Sequence, residues 1–274
     1  MHFSLYYILL SSLFGAALLF GVNAFRTVRG QHSRWREFSW STTHYYLYLL
    51  PLVLPLVLWL ALYPDREQAY FFIACAVLGV IGESGFSLYW NTFFREPFWH
   101  YFVHTIWGQY TSLLNFIPWA IGGVLYLGVA RLAGFEPHIE ELSAFWIIFS
   151  SSLAALIVAR LIWKTMHRRG SVRFRHEGAI PYLIVLLPIL AAIGGTDYFF
   201  PDARILEAAA FFGLGAWVVE YFFGKGIVFF LGKRLWAYNY MATDNGHITP
   251  LSILPFALAG FWFMTVYYLV ISIA

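Results

Sequence analysis

Two acidic residues stand apart in an otherwise apolar chain. Glu83 and Glu220 are the carboxylates that fall well inside long hydrophobic stretches. A charged side chain at the centre of a membrane helix costs roughly 2.5–3.5 kcal/mol on insertion scales, so such a group faces the protein interior, is paired, or keeps its proton. Held there, a carboxyl can give a proton to a bound molecule or take one from it. It can equally lock its helix to a neighbour's indole or hydroxyl. Glu83 and Glu220 are therefore candidate proton donor and acceptor, with the structural role open beside the catalytic one.

Each acid is followed, at the same intervals, by the same pair of rings. Trp99 and Tyr101 follow Glu83; Trp236 and Tyr238 follow Glu220. The chain holds 12 Trp, 18 Tyr and 28 Phe, or 21% aromatic residues, more than two interfacial belts require. Ring faces stabilise cations, so an acid among many rings suits carbocation chemistry on polyenes. The four rings are candidate substrate contacts, although aromatic residues also simply pack.

Two further clusters carry polar chemistry. Asp244-Asn245-Gly246-His247 precedes Pro250, and Asn-Gly marks a tight turn. Asp244 and His247 are candidate catalytic assistants there and Asn245 a candidate substrate contact; a plain connecting turn is the alternative. Glu96, His100 and His104 follow at spacing four and would share one face of a helix, where imidazoles and a carboxylate could ligate a metal. Pro97 interrupts that helix, and interfacial histidines are the simpler reading. The segments 93–110 and 229–247 mix rings with charges and read as interfacial or re-entrant helices. Cofactors are not indicated by any motif: there is no phosphate-binding loop, nucleophile elbow or His-Glu-x-x-His.

The elements that position these residues follow from composition. The chain of 274 residues is 61% hydrophobic and 11% charged, whereas a water-soluble domain carries about 25% charged residues. Its single cysteine, Cys75, excludes internal disulfides and a four-cysteine zinc site, and reads as a small packing residue. An all-α polytopic membrane protein remains. Eight stretches approach the roughly 20 residues a helix needs to cross a bilayer: 3–25, 44–63, 68–90, 113–134, 142–163, 179–195, 206–231 and 251–273. Pro181 and Pro188 leave the sixth the least defined.

Orientation follows from the basic residues. Fourteen of the 17 fall on one side, chiefly Arg26, Arg29, Arg34 and Arg36 in the first loop and Lys164, Arg168, Arg169, Arg173 and Arg175 in the fifth. The positive-inside rule then places those loops in the cytoplasm and both termini outside, with a bacterial inner membrane the expected location. The start of the chain lacks the basic region of a cleaved signal. Membrane lipids are expected partners, and a net charge of +3 spread over loops argues against nucleic acid.

The halves also resemble one another. Sliding the chain along itself by half its length produces nine identities between positions 83 and 123, among them Glu83 with Glu220, Trp99 with Trp236 and Gly123 with Gly260. The expectation is two tandem four-helix repeats, 1–137 and 138–274, parallel because four crossings per unit is even.

Two family resemblances add to this. The run Glu220-Tyr221, Trp236-Ala237-Tyr238, Asn245-Gly246-His247 resembles the CmpB-type family of ABC-transporter permeases, with Ala237 where that family has Asp and His247 where it has Arg. The likeness covers about 40 residues and, more faintly, Glu83 to Tyr101; it implies a transport subunit with an ATPase or another membrane subunit as partner. Pro137-His138-Ile139-Glu140-Glu141 is similar to the Pro-x-Glu-Glu of integral membrane carotenoid cyclases and hydratases, with one residue more, and implies a polyene substrate. Three functions follow: an enzyme acting on a hydrophobic lipid or isoprenoid, a permease or transporter subunit, and a non-catalytic membrane assembly factor. The scarcity of polar residues in the spans favours the first.

Overall fold

The structure is a computed structural model and describes residues 66–106, 109–135, 137–166, 179–232 and 234–273. The expected spans 3–25 and 44–63 and most of the two arginine-rich loops lie outside the described residues. Six helices dominate: α1 (Arg66–Phe94), α2 (Phe116–Ala133), α3 (Ile139–Met166), α4 (Ile180–Phe199), α5 (Ile205–Leu231) and α6 (Ile253–Ile273). Each contains a segment long and apolar enough to cross a membrane. This is an integral membrane protein by that criterion. The six coincide with the third to eighth expected spans. Helix α4 is continuous through both prolines: Pro181 sits in the first turn, where its missing N–H has no helical partner to lose, and Pro188 lies within the helix.

The helices are apolar on all sides because lipid, unlike water, asks for no polar face. Ile157, Val158, Leu161 and Ile162 of α3 and Leu183, Leu187 and Leu190 of α4 are exposed, which suits an acyl-chain surround. Helices pack as antiparallel neighbours: α1 with α2, α3 with α4 and α5 with α6, while α6 also packs on α1. Charged side chains gather at the two ends. Arg160 lies 4.4 Å over the ring of Phe93 at one, and Arg204 lies 4.7 Å over Phe135 at the other.

The segments after α1 and α5 are not helices. They hold short strands: β1 (Trp99–Tyr101), β2 (Thr105–Ile106), β3 (Thr111–Ser112) and β4 (Trp236–Tyr238). Strand β1 pairs antiparallel with β4, placing Trp99 opposite Tyr238, His100 opposite Ala237 and Tyr101 opposite Trp236; β2 pairs with β3. The expected interfacial helices are thus replaced by a ribbon. Pro97 has no N–H for a helix, and runs such as Trp-His-Tyr favour a pleated, half-buried surface. Trp99 and Tyr101 are buried on either side of half-buried His100, and β4 is buried throughout, Trp236, Ala237 and Tyr238 alike.

Several features recur at equivalent places in the two halves of the chain. Helix α1 ends at Phe94 and α5 at Leu231; α2 starts at Phe116 and α6 at Ile253. Ser112 and Thr249 each accept a hydrogen bond from the backbone N–H two residues on, heading the 3₁₀ turns Leu113–Asn115 and Pro250–Ser252. Gly123 of α2 lies against Cys75 of α1, and Gly260 of α6 against Phe212 of α5. A β-carbon would come within 2.3 Å of the Cys75 sulfur in one case and 2.4 Å of the Phe212 ring in the other. Only a residue without a side chain lets these helices approach so closely.

Candidate functional site

Glu83 and Glu220 lie on the wall of one cavity of about 500 Å³, lined by all six helices together with β1 and β4. Such a volume matches ordinary small-molecule sites. Its wall is mostly rings and aliphatic side chains. Phe86 stacks on Trp99 with centroids 5.7 Å apart, and Phe223 stacks on Trp236 at 6.0 Å. Among the described residues the wall carries these two carboxyls and no lysine, arginine or histidine.

The surroundings of Glu83 are saturated. From β1 the Tyr101 hydroxyl donates to Oε1, and from β3 the Thr111 hydroxyl donates to Oε2. The Asn115 amide donates to both oxygens, at 3.2 and 3.0 Å, and the Trp119 indole N–H donates to Oε2 at 3.1 Å. Asn115 precedes α2 yet makes no side-chain cap, the usual task of Asn at that position; its amide goes to Glu83 instead. Trp119 stands one helical turn further, on the same face. Between them the four partners reach both carboxyl oxygens.

Among the described residues Glu220 is held by a single side-chain bond. The Tyr238 hydroxyl donates to its Oε1 at 2.5 Å, while Oε2 is shut from solvent without a partner among the described residues. The cause is local sequence. At the places in the second half that correspond to Thr111, Asn115 and Trp119 stand Ile248, Ser252 and Phe256. Ile248 and Phe256 have no donor, and the Ser252 hydroxyl donates to the Thr249 carbonyl at 2.8 Å. Tyr238 keeps the role of Tyr101; the other three donors are gone.

The remaining sequence candidates fall elsewhere. Trp99, Tyr101, Trp236 and Tyr238 are on the cavity wall, whereas Asp244, Asn245 and His247 are not. Asp244 Oδ2 receives Lys225 Nζ at 2.5 Å and the Tyr221 hydroxyl at 3.0 Å. Lys225, then Tyr221, hold the Asp244 carboxyl below the usual carboxylate range. Asn245 occupies a left-handed conformation with φ 57°, and its carbonyl accepts from Arg234. His247 is buried, with Nδ1 at 2.9 Å from the Asp244 carbonyl and 3.3 Å from an Arg234 nitrogen. A β-carbon on Gly224 would lie 3.2 Å from the Trp236 ring and 3.6 Å from that of His247. The turn therefore braces β4 from behind rather than facing the cavity.

Glu96, His100 and His104 do not share a helical face. Glu96 lies beyond the end of α1, His100 is the middle residue of β1, and His104 is in a left-handed turn with φ 46°. The His100 ring packs edge-on against Phe102 at 4.7 Å. No group of three or more metal-ligating side chains is found among the described residues. Glu140 and Glu141 open α3 away from the cavity wall, and Glu141 accepts from the backbone N–H of His138, as acidic residues do at a helix start.

Sequence reasoning missed Thr111, Asn115 and Trp119. Their donor groups were visible, but nothing in the chain alone folds the loop from 99 to 115 back over Glu83.

No known protein family, curated protein or solved structure matches the chain. What the site does has to follow from its own residues.

Proposed function

We propose that this protein is a membrane-embedded enzyme acting on a hydrophobic, lipid- or isoprenoid-like molecule, with Glu220 as the group that gives or takes the proton. One observation carries the reading: a carboxyl oxygen of Glu220 is withheld from water and unpartnered among the described residues on the wall of an aromatic cavity of about 500 Å³. An unmet acceptor in an apolar setting is costly, and a reacting or bound molecule would meet it. Tyr238 fixes the carboxyl by its other oxygen. Glu83, spoken for by four donors, anchors β1, β3 and α2 around the cavity and leaves proton transfer to its counterpart. The aromatic wall suits a cationic transition state. A transport function would need a route for a hydrated solute, which this wall of rings does not favour.

The features shared by the two halves support two tandem four-helix units, 1–137 and 138–274, with the cavity at their seam. The antiparallel pairing of β1 with β4 about His100 and Ala237 fits a two-fold axis along the membrane normal. The basic residues then put the ribbon, and the end of the bundle it closes, on the cytoplasmic side.

The test is the lipid extract of membranes holding wild-type protein, Glu220→Gln or Glu83→Gln, compared by mass spectrometry at matched protein levels. Wild type should yield a hydrophobic product that Glu220→Gln lacks, with its precursor accumulating. Identical extracts from wild type and Glu220→Gln would overturn the assignment.

A further inference from the structure

The chemistry of the wall says which polar group a ligand brings, an inference that rests on the cavity being a hydrophobic-ligand site. The donors that line it are already spent. Tyr89 gives its hydroxyl hydrogen to the Val185 carbonyl at 2.5 Å, and Tyr126 to the Phe256 carbonyl at 3.2 Å. The Trp146 indole donates to the Thr265 hydroxyl at 2.7 Å and the Trp262 indole to the Leu78 carbonyl at 3.3 Å. Trp99 donates to the Tyr110 carbonyl at 2.8 Å, and the donors around Glu83 and Glu220 are held by those carboxyls. The Trp236 indole N–H is the exception, buried without a partner among the described residues.

Against this stands an acceptor, Glu220 Oε2, with no donor among the described residues. Among the described residues the wall also has two carboxyls and no basic side chain. A phosphate or carboxylate brought here would lose its hydration, find no cation among the described wall residues and gain one indole N–H in exchange. A hydroxyl or amino group would supply the hydrogen that Glu220 lacks. An amine carrying positive charge would also gain from the carboxyls and the ring faces.

We propose that the cavity takes a hydrophobic molecule whose polar end is an uncharged or cationic hydrogen-bond donor, an alcohol or an amine, and that the Glu220 carboxyl is the group that reads it. Anionic lipids and prenyl phosphates are then the wrong class, whatever their chain.

Four probes of equal chain length decide this: dodecanol, dodecylamine, dodecanoate and dodecyl phosphate, titrated against full-length protein in uncharged phosphatidylcholine nanodiscs. Emission from the wall tryptophans reports occupancy, and empty nanodiscs correct for partition into lipid. Dodecanol and dodecylamine should bind saturably and at least about tenfold more tightly than the two anions, the worth of one buried hydrogen bond. Glu220→Leu should erase that preference. Its folding is checked by thermal unfolding, and Glu220→Gln, which keeps the size and an acceptor, should retain alcohol binding and weaken amine binding.

Anion binding as tight as alcohol binding, or a preference unchanged in Glu220→Leu, overturns the donor-group inference while the hydrophobic-ligand site survives. Failure of all four probes to bind overturns both. Selective alcohol or amine binding, with lipid extracts that do not differ between wild type and Glu220→Gln, upholds the ligand class and removes the enzymatic reading.

Discussion

Glu83 and Glu220 occupy corresponding places, each accepting a hydrogen bond from a tyrosine 18 residues further on, yet their surroundings have diverged. Around Glu83 the neighbours Thr111, Asn115 and Trp119 complete a set of donors. Around Glu220 the matching positions hold Ile248, Ser252 and Phe256, and one oxygen has no partner among the described residues. On the proposed function, the same acid is structural in one half and reactive in the other. What separates the two is how many protein donors each has met, because a satisfied buried carboxyl stabilises the fold and an unsatisfied one seeks a ligand.

The contrast can be broken most forcefully at Glu83 itself. Glu83→Leu strands four donors, each costing about 1–3 kcal/mol when buried without an acceptor. Unfolding in nanodiscs should show a loss of several kcal/mol or no folded protein. Glu220→Leu strands, among the described residues, only the Tyr238 hydroxyl and should cost about 1 kcal/mol. Equal losses would mean that the two carboxyls do the same work.

Next in size is the close approach of paired helices. Gly123→Ala and Gly260→Ala should each destabilise by about 1–3 kcal/mol through overpacking, read by the same unfolding assay. The steric demand is similar in both halves, 2.3 Å to Cys75 and 2.4 Å to Phe212, so this pair should behave alike where the glutamates do not. Cys75→Gly, which removes both the sulfur at 2.3 Å and the β-carbon at 2.7 Å, opens room beside Gly123 and should partly relieve the first substitution but not the second.

The tyrosines sharpen the comparison further. Tyr101→Phe and Tyr238→Phe each remove one hydrogen bond, worth about 0.5–1.5 kcal/mol of stability. Product formation should fall more in Tyr238→Phe, because Tyr238 is the partner that orients Glu220, whereas Glu83 keeps three donors without Tyr101. A larger loss in Tyr101→Phe would reverse the assignment of roles.

The smallest effect is expected outside the cavity. Lys225 and Tyr221 hold the Asp244 carboxyl below its usual value of 3.8, so the folded state binds that proton less readily than the unfolded chain does. The resulting stability is present above that value and lost as pH falls through the depressed folded value. Wild type should therefore exceed Asp244→Asn slightly near neutral pH, the two converging in acid. Both groups are near solvent, so salt should shrink the difference.

Much of the frame was legible in the residues. Length and hydropathy located the described helices because a bilayer imposes one length and one polarity on whatever crosses it. The two acids were visible for the same reason: a carboxyl is conspicuous where nearly everything else is apolar. The spacing of Glu83 to Tyr101 and of Glu220 to Tyr238 was visible too, but not that each tyrosine bonds its glutamate. The segment 93–110 was misread as helical because rings mixed with charges suit an interfacial helix as well as a ribbon, and only pairing with the distant segment 236–238 decides between them.

Composition and spacing, then, determined that the chain is built for lipid and which two side chains are anomalous there. The tertiary structure alone decided that both line one cavity, that Thr111, Asn115 and Trp119 converge on Glu83, and that Glu220 Oε2 has no partner among the described residues. Hydropathy is a sum over local residues and can be read along a chain. Satisfaction of a hydrogen-bonding group depends on partners brought from as far as 36 residues away, and a linear sequence does not record which of them arrive.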